Sequence, residues 1–547
     1  MRTDYQEDQH ANLKKKAPTI AEPLLFLVCI VLAALGAIIG IQLITSLGIS
    51  ANTSILGALI AICFSRIPIA ALARFRDIER QNLVQTAVSA GTFGAANALV
   101  IALGVPWVLG MPELIWPMFV GASLAMLVDA TMIYKLFGTK TFPATGTWPA
   151  GIATAEALEA GDKGGKKALF LGAGITCGVG GAMMGIPMSA AGVALIGNQI
   201  ALLMFALGLL IRGYANTHTF TDYIPRIDIN ALYLPHGFMI GAGLVALIQV
   251  VIQIYQSRTA MNASKTEQDD SKRFVTVLRN GFLGYLLVAI IITIISNIFV
   301  SMSVPMLIAF LLFAATAAII QEMIVGIAAM YSGWFPAFAA ALISLIVGML
   351  IGFPPAALAV LVGFCASTGP AFADKGFDLK TGYLIRGSGK NMVAELYGRR
   401  QQYFAALLGF TVAMVMVALM HDTYFSQGLI APASKAYATT IQAGALPGVA
   451  FNIMLFAIPG AILQFLGGPS RQIGVLLATG LIINYPIAGW TVIVALCLRA
   501  LVERYLKSVS ADISSFAGGL IAGDALYTAA KMFIPALKAK FVALFIK

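Results

Sequence analysis

Charge is what this 547-residue sequence has least of. Asp, Glu, Lys and Arg make up 11% of it, against about 25% in soluble globular chains. Hydrophobic residues supply 59% and the mean hydropathy is +0.88. No polar stretch is long enough to hold a soluble core. Histidine is as scarce: His10, His218, His236 and His421 are scattered, so no protein-built metal centre is expected. The five cysteines, Cys29, Cys63, Cys177, Cys365 and Cys497, lie inside apolar runs without Cys-x-x-Cys spacing, as small packing residues do. No His-Glu-x-x-His, Gly-x-Ser-x-Gly or Walker sequence occurs. These absences disfavour an intramembrane hydrolase and an ATP-driven pump, and no cofactor is expected.

What is abundant is apolar length. Runs such as Leu24–Leu43, Ile115–Ile133, Leu232–Ile254, Gly281–Val300 and Phe404–Met420 approach the roughly 20 residues that cross a bilayer as a helix. Some twelve clear spans, with a few weaker ones broken by Gly or Pro, predict an all-α polytopic bundle of about 14–16 helices. Residues 1–22 are polar, and Lys14, Lys15 and Lys16 precede the first apolar run. This arm is therefore expected in the cytoplasm, ahead of a retained first helix. The net charge of +11 fits basic loops at an anionic leaflet, and no basic–aromatic motif points to nucleic acid. Polar connectors are expected at Gln256–Arg273, Ser65–Asn82, Glu159–Lys167 and Ala373–Asn391.

The chain reads as two halves, 23–300 and 301–547, with a shared rhythm: a helix, a Gly-rich break, an apolar run, then a polar motif. That motif is "DIERQNLVQT" (Asp77–Thr86) in the first half and "GFDLKTGYL" (Gly376–Leu384) in the second. Duplicated units with broken helices are the usual build of secondary transporters. Matching the two motifs to one side requires a re-entrant run, such as Ile69–Arg74 or Pro355–Phe364. The stretch "TWPAGIATAEALEAG" (Thr147–Gly161) has a proline, glycines and carboxylates that lipid would reject. It is tolerable at membrane depth where it faces a cavity or is buried in protein.

Five places in order resemble the oligopeptide transporter family, which includes the yellow-stripe-like metal-chelate transporters. They are "WPAGIATAEALEAG" (Trp148–Gly161), "RQNLVQTAVSAG" (Arg80–Gly91), "DLKTGYLIRGSGKN" (Asp378–Asn391), "APASKA" (Ala431–Ala436) and "GGLIAGDALYT" (Gly518–Thr528). The resemblance implies about sixteen helices in two homologous halves and proton-coupled import of peptides, or of metals on peptide-like chelators. A bacterial inner membrane is the expected location. Two departures stand out: Ala150 replaces the family's usual Glu after the proline, and "IVGIAAMYSGWFPAF" (Ile324–Phe338) is partly aromatic where bacterial members favour a Ser- and Asn-Pro-rich break.

Intramembrane carboxylates are the sharpest candidates, because an unpaired charge there costs several kcal/mol. Glu322, Glu156, Asp129 and Asp524 are candidate proton-coupling groups, since a carboxyl withdrawn from water favours its neutral form. Each could instead be a static hydrogen-bonding group or a helix cap. Trp148, Gly151, Thr154 and Glu156 would offer opened backbone and a flat wall to a substrate, or else form an interfacial turn. Asn82 and Gln85, three residues apart on one helix face, could bind substrate or bond neighbouring helices. Tyr331, Ser332 and Trp334 could line the second-half break. Lys380 could pair with Asp378 or a substrate carboxylate but is rather expected in a cytoplasmic loop, and Arg386, Arg399 and Arg400 as cytoplasmic anchors. The partners implied are a small solute, protons and the bilayer, with homo-oligomers compatible. Carriers of amino acids or nucleobases are the main rival, followed by a channel.

Overall fold

The structure, a computed structural model, describes residues 17–531 except 47, 49–52, 68, 147, 163–165, 216–228, 230, 260–266, 333–336, 445–448, 506–512, 514, 522, 525–526 and 528–530. Among the described residues 86% are helical and none forms a strand. Lipid tolerates helices and closed barrels alone, and apolar runs of spanning length satisfy their backbone groups within the segment as helices.

The first half contains α1 (Pro23–Ser46), α2 (Thr53–Ser65), α3 (Ile78–Phe93), α4 (Ile101–Val108), α5 (Ile115–Leu136), α6 (Pro149–Asp162), α7 (Lys166–Met183), α8 (Met188–Ile196), α9 (Gln199–Tyr214), α10 (Leu234–Thr259) and α11 (Glu267–Ile295). The second contains α12 (Val304–Ser332), α13 (Ala337–Ile351), α14 (Pro355–Ser367), α15 (Pro370–Ile385), α16 (Met392–Ser426), α17 (Pro432–Ala443), α18 (Val449–Arg471), α19 (Ile473–Ile482) and α20 (Pro486–Tyr505). Among the described residues, nine helical stretches are long and apolar enough to cross a membrane, and four shorter apolar helices accompany them.

Two stretches of equal length form the centre. Ile78–Val108 joins α3 to α4 through a π-helical turn at Gly94–Val100, and Pro355–Ile385 joins α14 to α15 through a break. Each has 31 residues and is 94% buried over its most apolar window, whereas the outer spans α11, α12, α18 and α20 are 33% buried or less. The polar motifs noted in the sequence lie on this pair, and burial in protein is what makes them tolerable at membrane depth.

The break in Pro355–Ile385 has a local cause. Gly369 sits at φ +93, a conformation open to glycine, and Pro370 occupies the first turn of α15 where its missing N–H costs nothing. Elsewhere glycines allow close helix contact. A Cβ on Gly208 in α9 would meet Gly480 Cα of α19 at 2.9 Å.

Several expected connectors turn out differently. Ala373–Asn391 begins with the buried helix α15, because its charges pair inside the protein and need no solvent. Gln256–Arg273 is shorter than a loop of that length, since α10 continues to Thr259 and α11 starts at Glu267. The end of the N-terminal arm is docked: Arg80 pairs with Glu22 at 2.9 Å, and Thr19 Oγ1 and the Ile20 N–H donate to Gln401 Oε1 at 3.1 Å.

Candidate functional site

The two central stretches run antiparallel and meet through a buried polar seam. Gln85 Nε2 on α3 donates to Asp378 Oδ1 on α15 at 2.6 Å. One turn further along α3 and one turn back on α15, Ser89 Oγ donates to Asp374 Oδ1 at 2.8 Å. Ser54 Oγ of α2 also donates to Asp378 Oδ1, at 3.3 Å. Lys375 lies between the two aspartates, its Nζ 3.6 Å from Asp378 Oδ2, and all three side chains are fully buried. From α16, Gln402 Nε2 donates to Asp378 O at 2.7 Å, to Thr86 Oγ1 at 3.2 Å and to Asn82 Oδ1 at 3.4 Å. Asn82 and Gln85 therefore bond neighbouring helices in this conformation.

Arg386 and Arg399, expected as cytoplasmic anchors, are instead buried against one carboxylate. Arg386 Nε meets Glu395 Oε2 at 2.8 Å, and Arg399 Nη2 meets Glu395 Oε1 at 3.1 Å. Arg399 Nη1 also donates to Phe137 O at 2.8 Å. Two guanidiniums on one carboxylate, completed by carbonyl and amide acceptors, satisfy charges that hydrocarbon would reject. Arg400 does lie outside this cluster, with its guanidinium over the Phe404 ring at 5.6 Å. Lys380 is likewise no loop residue: it lies on α15 and its Nζ donates to Ala144 O at 2.9 Å.

"TWPAGIATAEALEAG" packs on this same helix. Trp148, with φ +37 just before α6, is fully buried among Phe137, Phe142 and Phe377. Its ring covers Gly376, where any Cβ would collide with it, and its indole N–H donates to Pro143 O at 3.3 Å. Gly151 brings α6 against α15: an added Cβ would lie 2.5 Å from Phe377 O, and Thr381 Oγ1 donates to Gly151 O at 3.1 Å. Thr154 is buried with its hydroxyl returned to Ala150 O. Of the candidates Trp148, Gly151, Thr154 and Glu156, Glu156 alone is exposed. The first-half break also touches the end of α12, for the Trp148 N–H donates to Met330 O at 2.8 Å. Tyr331 and Ser332 close α12, and Trp334 lies outside the described residues.

Asp129 and Glu322 form a second buried centre. The Tyr285 hydroxyl of α11 donates to Asp129 Oδ1 of α5 at 2.5 Å and interacts with Glu322 of α12. Both carboxylates and the tyrosine are fully buried. Asp129 Oδ2 accepts the Gly369 N–H at 2.6 Å, so Asp129 caps α15 at the central break. Neither Glu322 oxygen meets hydrogen-bond geometry with any described residue. Three helices from both halves thus converge on one hydroxyl at the start of α15. The tyrosine carried no sequence signal, since a lone Tyr in an apolar run is ordinary packing.

An open cavity lies elsewhere. A cavity of about 1040 Å³ is lined by the end of α1, the α4 end, α8, α9, α10, α17 and the α19–α20 break. Arg212, His236 and Lys435 supply positive or polar groups on one part of its wall, with Arg212 in electrostatic reach of the other two. Asp524 lies beside Tyr485 on another part, its Oδ2 accepting the Ser189 N–H at 2.7 Å. Of the sequence candidates, Asp524 alone lines this cavity. The "APASKA" and "GGLIAGDALYT" motifs meet here, while the other three motifs meet around α15.

The sequence matches the family described as OPT oligopeptide transporter protein over residues 24–210 and 175–534, which together take in most of the chain. No curated protein matches it.

Proposed function

The chain belongs to the oligopeptide transporter family, and on that premise we propose that it imports small peptides or peptide-like metal chelates by proton-coupled alternating access. The observation that carries this reading is the cavity of about 1040 Å³, walled by both halves and lined by Arg212, Lys435 and Lys531 as well as by Asp524. A volume above 300 Å³ suits a small-molecule ligand. A solute with a carboxylate at one end and an ammonium at the other complements those charges. The "TWPAGIATAE" turn then serves as packing that holds α6 on α15, not as the solute's wall.

Asp129, Tyr285 and Glu322 are the proposed coupling group. Burying two full negative charges around one hydroxyl is costly, so the pair holds a proton between them while the site is closed to water. Asp129 also caps α15, so gain or loss of that proton would be felt by the central broken helix. A proton or solute shifts the balance of outward and inward forms only by its difference in affinity for them. Lys14–Lys16 favour an N-terminus on the cytoplasmic side, and a bacterial inner membrane is the location that goes with this proposal.

A thermal-shift screen of purified protein against di- to pentapeptides, free amino acids and metal–chelator complexes tests the solute class, because a ligand of the native state raises the melting temperature. Stabilisation by peptides or chelates that is lost in Lys435→Gln and Asp524→Asn is expected. Stabilisation by free amino acids alone would contradict the reading.

A further inference from the structure

Where the docked end of the N-terminal arm meets α16, the surface is concave. The groove holds about 770 Å³ between Thr19–Ala21 of the arm, Phe26 of α1 and one face of α16. The α16 residues that line it run from Tyr397 to Thr411 at three- and four-residue steps, so a single stripe of the helix forms the floor. The wall opposite is fixed, because Gln401 Oε1 accepts both the Thr19 hydroxyl and the Ile20 N–H at 3.1 Å.

The floor changes character along its length. Tyr397 and Arg400 stand at one end, and Phe404, Leu407 and Leu408 follow towards Thr411. Arg400 is exposed, lies over the Phe404 ring at 5.6 Å and pairs with none of the described carboxylates. Glu395 on the same helix is held by Arg386 and Arg399, and Glu22 beside α1 by Arg80. In the sequence, Lys14, Lys15 and Lys16 stand shortly before Thr19 and add charge of the same sign. Depth fits the gradient. The 35 residues of α16 make a helix of about 52 Å at 1.5 Å per residue, against about 30 Å of hydrocarbon. Centred, the helix extends about 11 Å beyond the hydrocarbon on each side. Arg400 lies about 12 Å along it from Met392, at that boundary. Tyr403, stacked on Tyr134 of α5 at 4.5 Å, supplies the aromatic pair usual at headgroup level.

We propose that this groove binds one anionic phospholipid from the leaflet on the side of the N-terminal arm, with its phosphate at Arg400 and an acyl chain along Phe404, Leu407 and Leu408 against Phe26. A phosphate diester offers the guanidinium the charge and the oxygens it lacks. The chain gains close packing that a flat lipid-facing helix does not provide. A zwitterionic lipid brings the same phosphate beside an ammonium, which gives up the net attraction to Arg400 and to the lysines upstream. Bound there, the lipid bears on α16 beside Gln402, which bonds α3 and α15 in the central seam. The site does not depend on the carrier reading.

Native mass spectrometry of the full-length protein in detergent, titrated with phosphatidylglycerol or with phosphatidylcholine of the same chains, tests this without any solute. One phosphatidylglycerol is expected to be retained at about a fivefold lower concentration than phosphatidylcholine, the effect of one cation at an anionic headgroup. Arg400→Gln is expected to remove that preference and to leave phosphatidylcholine retention as it was. Thr411→Trp, which places a ring in the apolar part of the groove, is expected to weaken retention of both lipids. Arg504→Gln removes a guanidinium set over Tyr505 outside the groove and is expected to change neither. All three positions are exposed, so folding is not at stake. Equal retention of the two lipids by the unaltered protein, the result if the arm or a second copy covers the groove, would overturn the proposal. So would a preference that survives Arg400→Gln.

Discussion

A single hydroxyl between two carboxylates concentrates the chemistry at the residue scale. Tyr285 donates to Asp129 and can serve Glu322 only by turning or by receiving a proton from it. Glu322→Gln keeps volume and polarity but removes the exchangeable proton. In proteoliposomes, that variant is expected to lose accumulation driven by a pH gradient while still exchanging labelled for unlabelled solute. Undiminished gradient-driven accumulation would remove Glu322 from the mechanism. Asp129 has a second duty as cap of α15, so Asp129→Ala is expected to lower stability by about 1–3 kcal/mol, the range for orphaning a buried donor. Asp129→Asn, which retains an acceptor for the Gly369 N–H, should recover most of that loss. Melting temperatures of the two variants decide it, and equal losses would deny the cap.

At the scale of elements, α15 is the part that everything else addresses. Its start is capped by Asp129, its middle is tied to α3, its Gly376 lies under Trp148, and its last turns receive α6 and Gln402. Gly151→Leu is expected to destabilise the protein by about 1–3 kcal/mol through overpacking, because its Cβ would meet Phe377 O at 2.5 Å. A melting temperature equal to wild type would show that α6 and α15 can separate at no cost. Much of this architecture was legible beforehand: α1, α5 and α10 begin and end close to their apolar runs, since length and hydropathy suffice for a lipid-facing helix. α15 was not legible. Asp374, Lys375, Asp378 and Lys380 look like a solvated connector in a single sequence, because the partners of the two aspartates lie 285, 293 and 324 residues away on α3 and α2. Local polarity cannot distinguish a loop from a helix whose charges are paired inside the protein. The same limit hid Arg386, Arg399 and Glu395.

For the whole molecule, the five family-like motifs sort into two places. Three surround α15, and two join the late helix break at Asn484–Tyr485 around the cavity. Trp148 and Gly151 were expected at the solute's wall and are buried by aromatic rings and by α15, whereas Asp524 does face open space. A proline and glycines signal that backbone is opened, but not whether a ligand or another helix fills the opening. Lys435→Gln is expected to weaken peptide binding about tenfold, or about 1.4 kcal/mol, and to affect an amidated peptide less than one with a free carboxylate. Equal loss for both peptides would mean that Lys435 does not read the carboxylate.

Inward movement of solute drawn by protons is the central step of the proposed function. The most direct measurement is accumulation of a labelled small peptide or peptide-like chelate, found by the thermal-shift screen, in proteoliposomes of the purified protein. An inside-alkaline pH gradient is expected to drive accumulation above the outside concentration, with proton entry recorded alongside and both abolished by Glu322→Gln. Equilibration that never exceeds the outside concentration, with no accompanying proton entry, would contradict it.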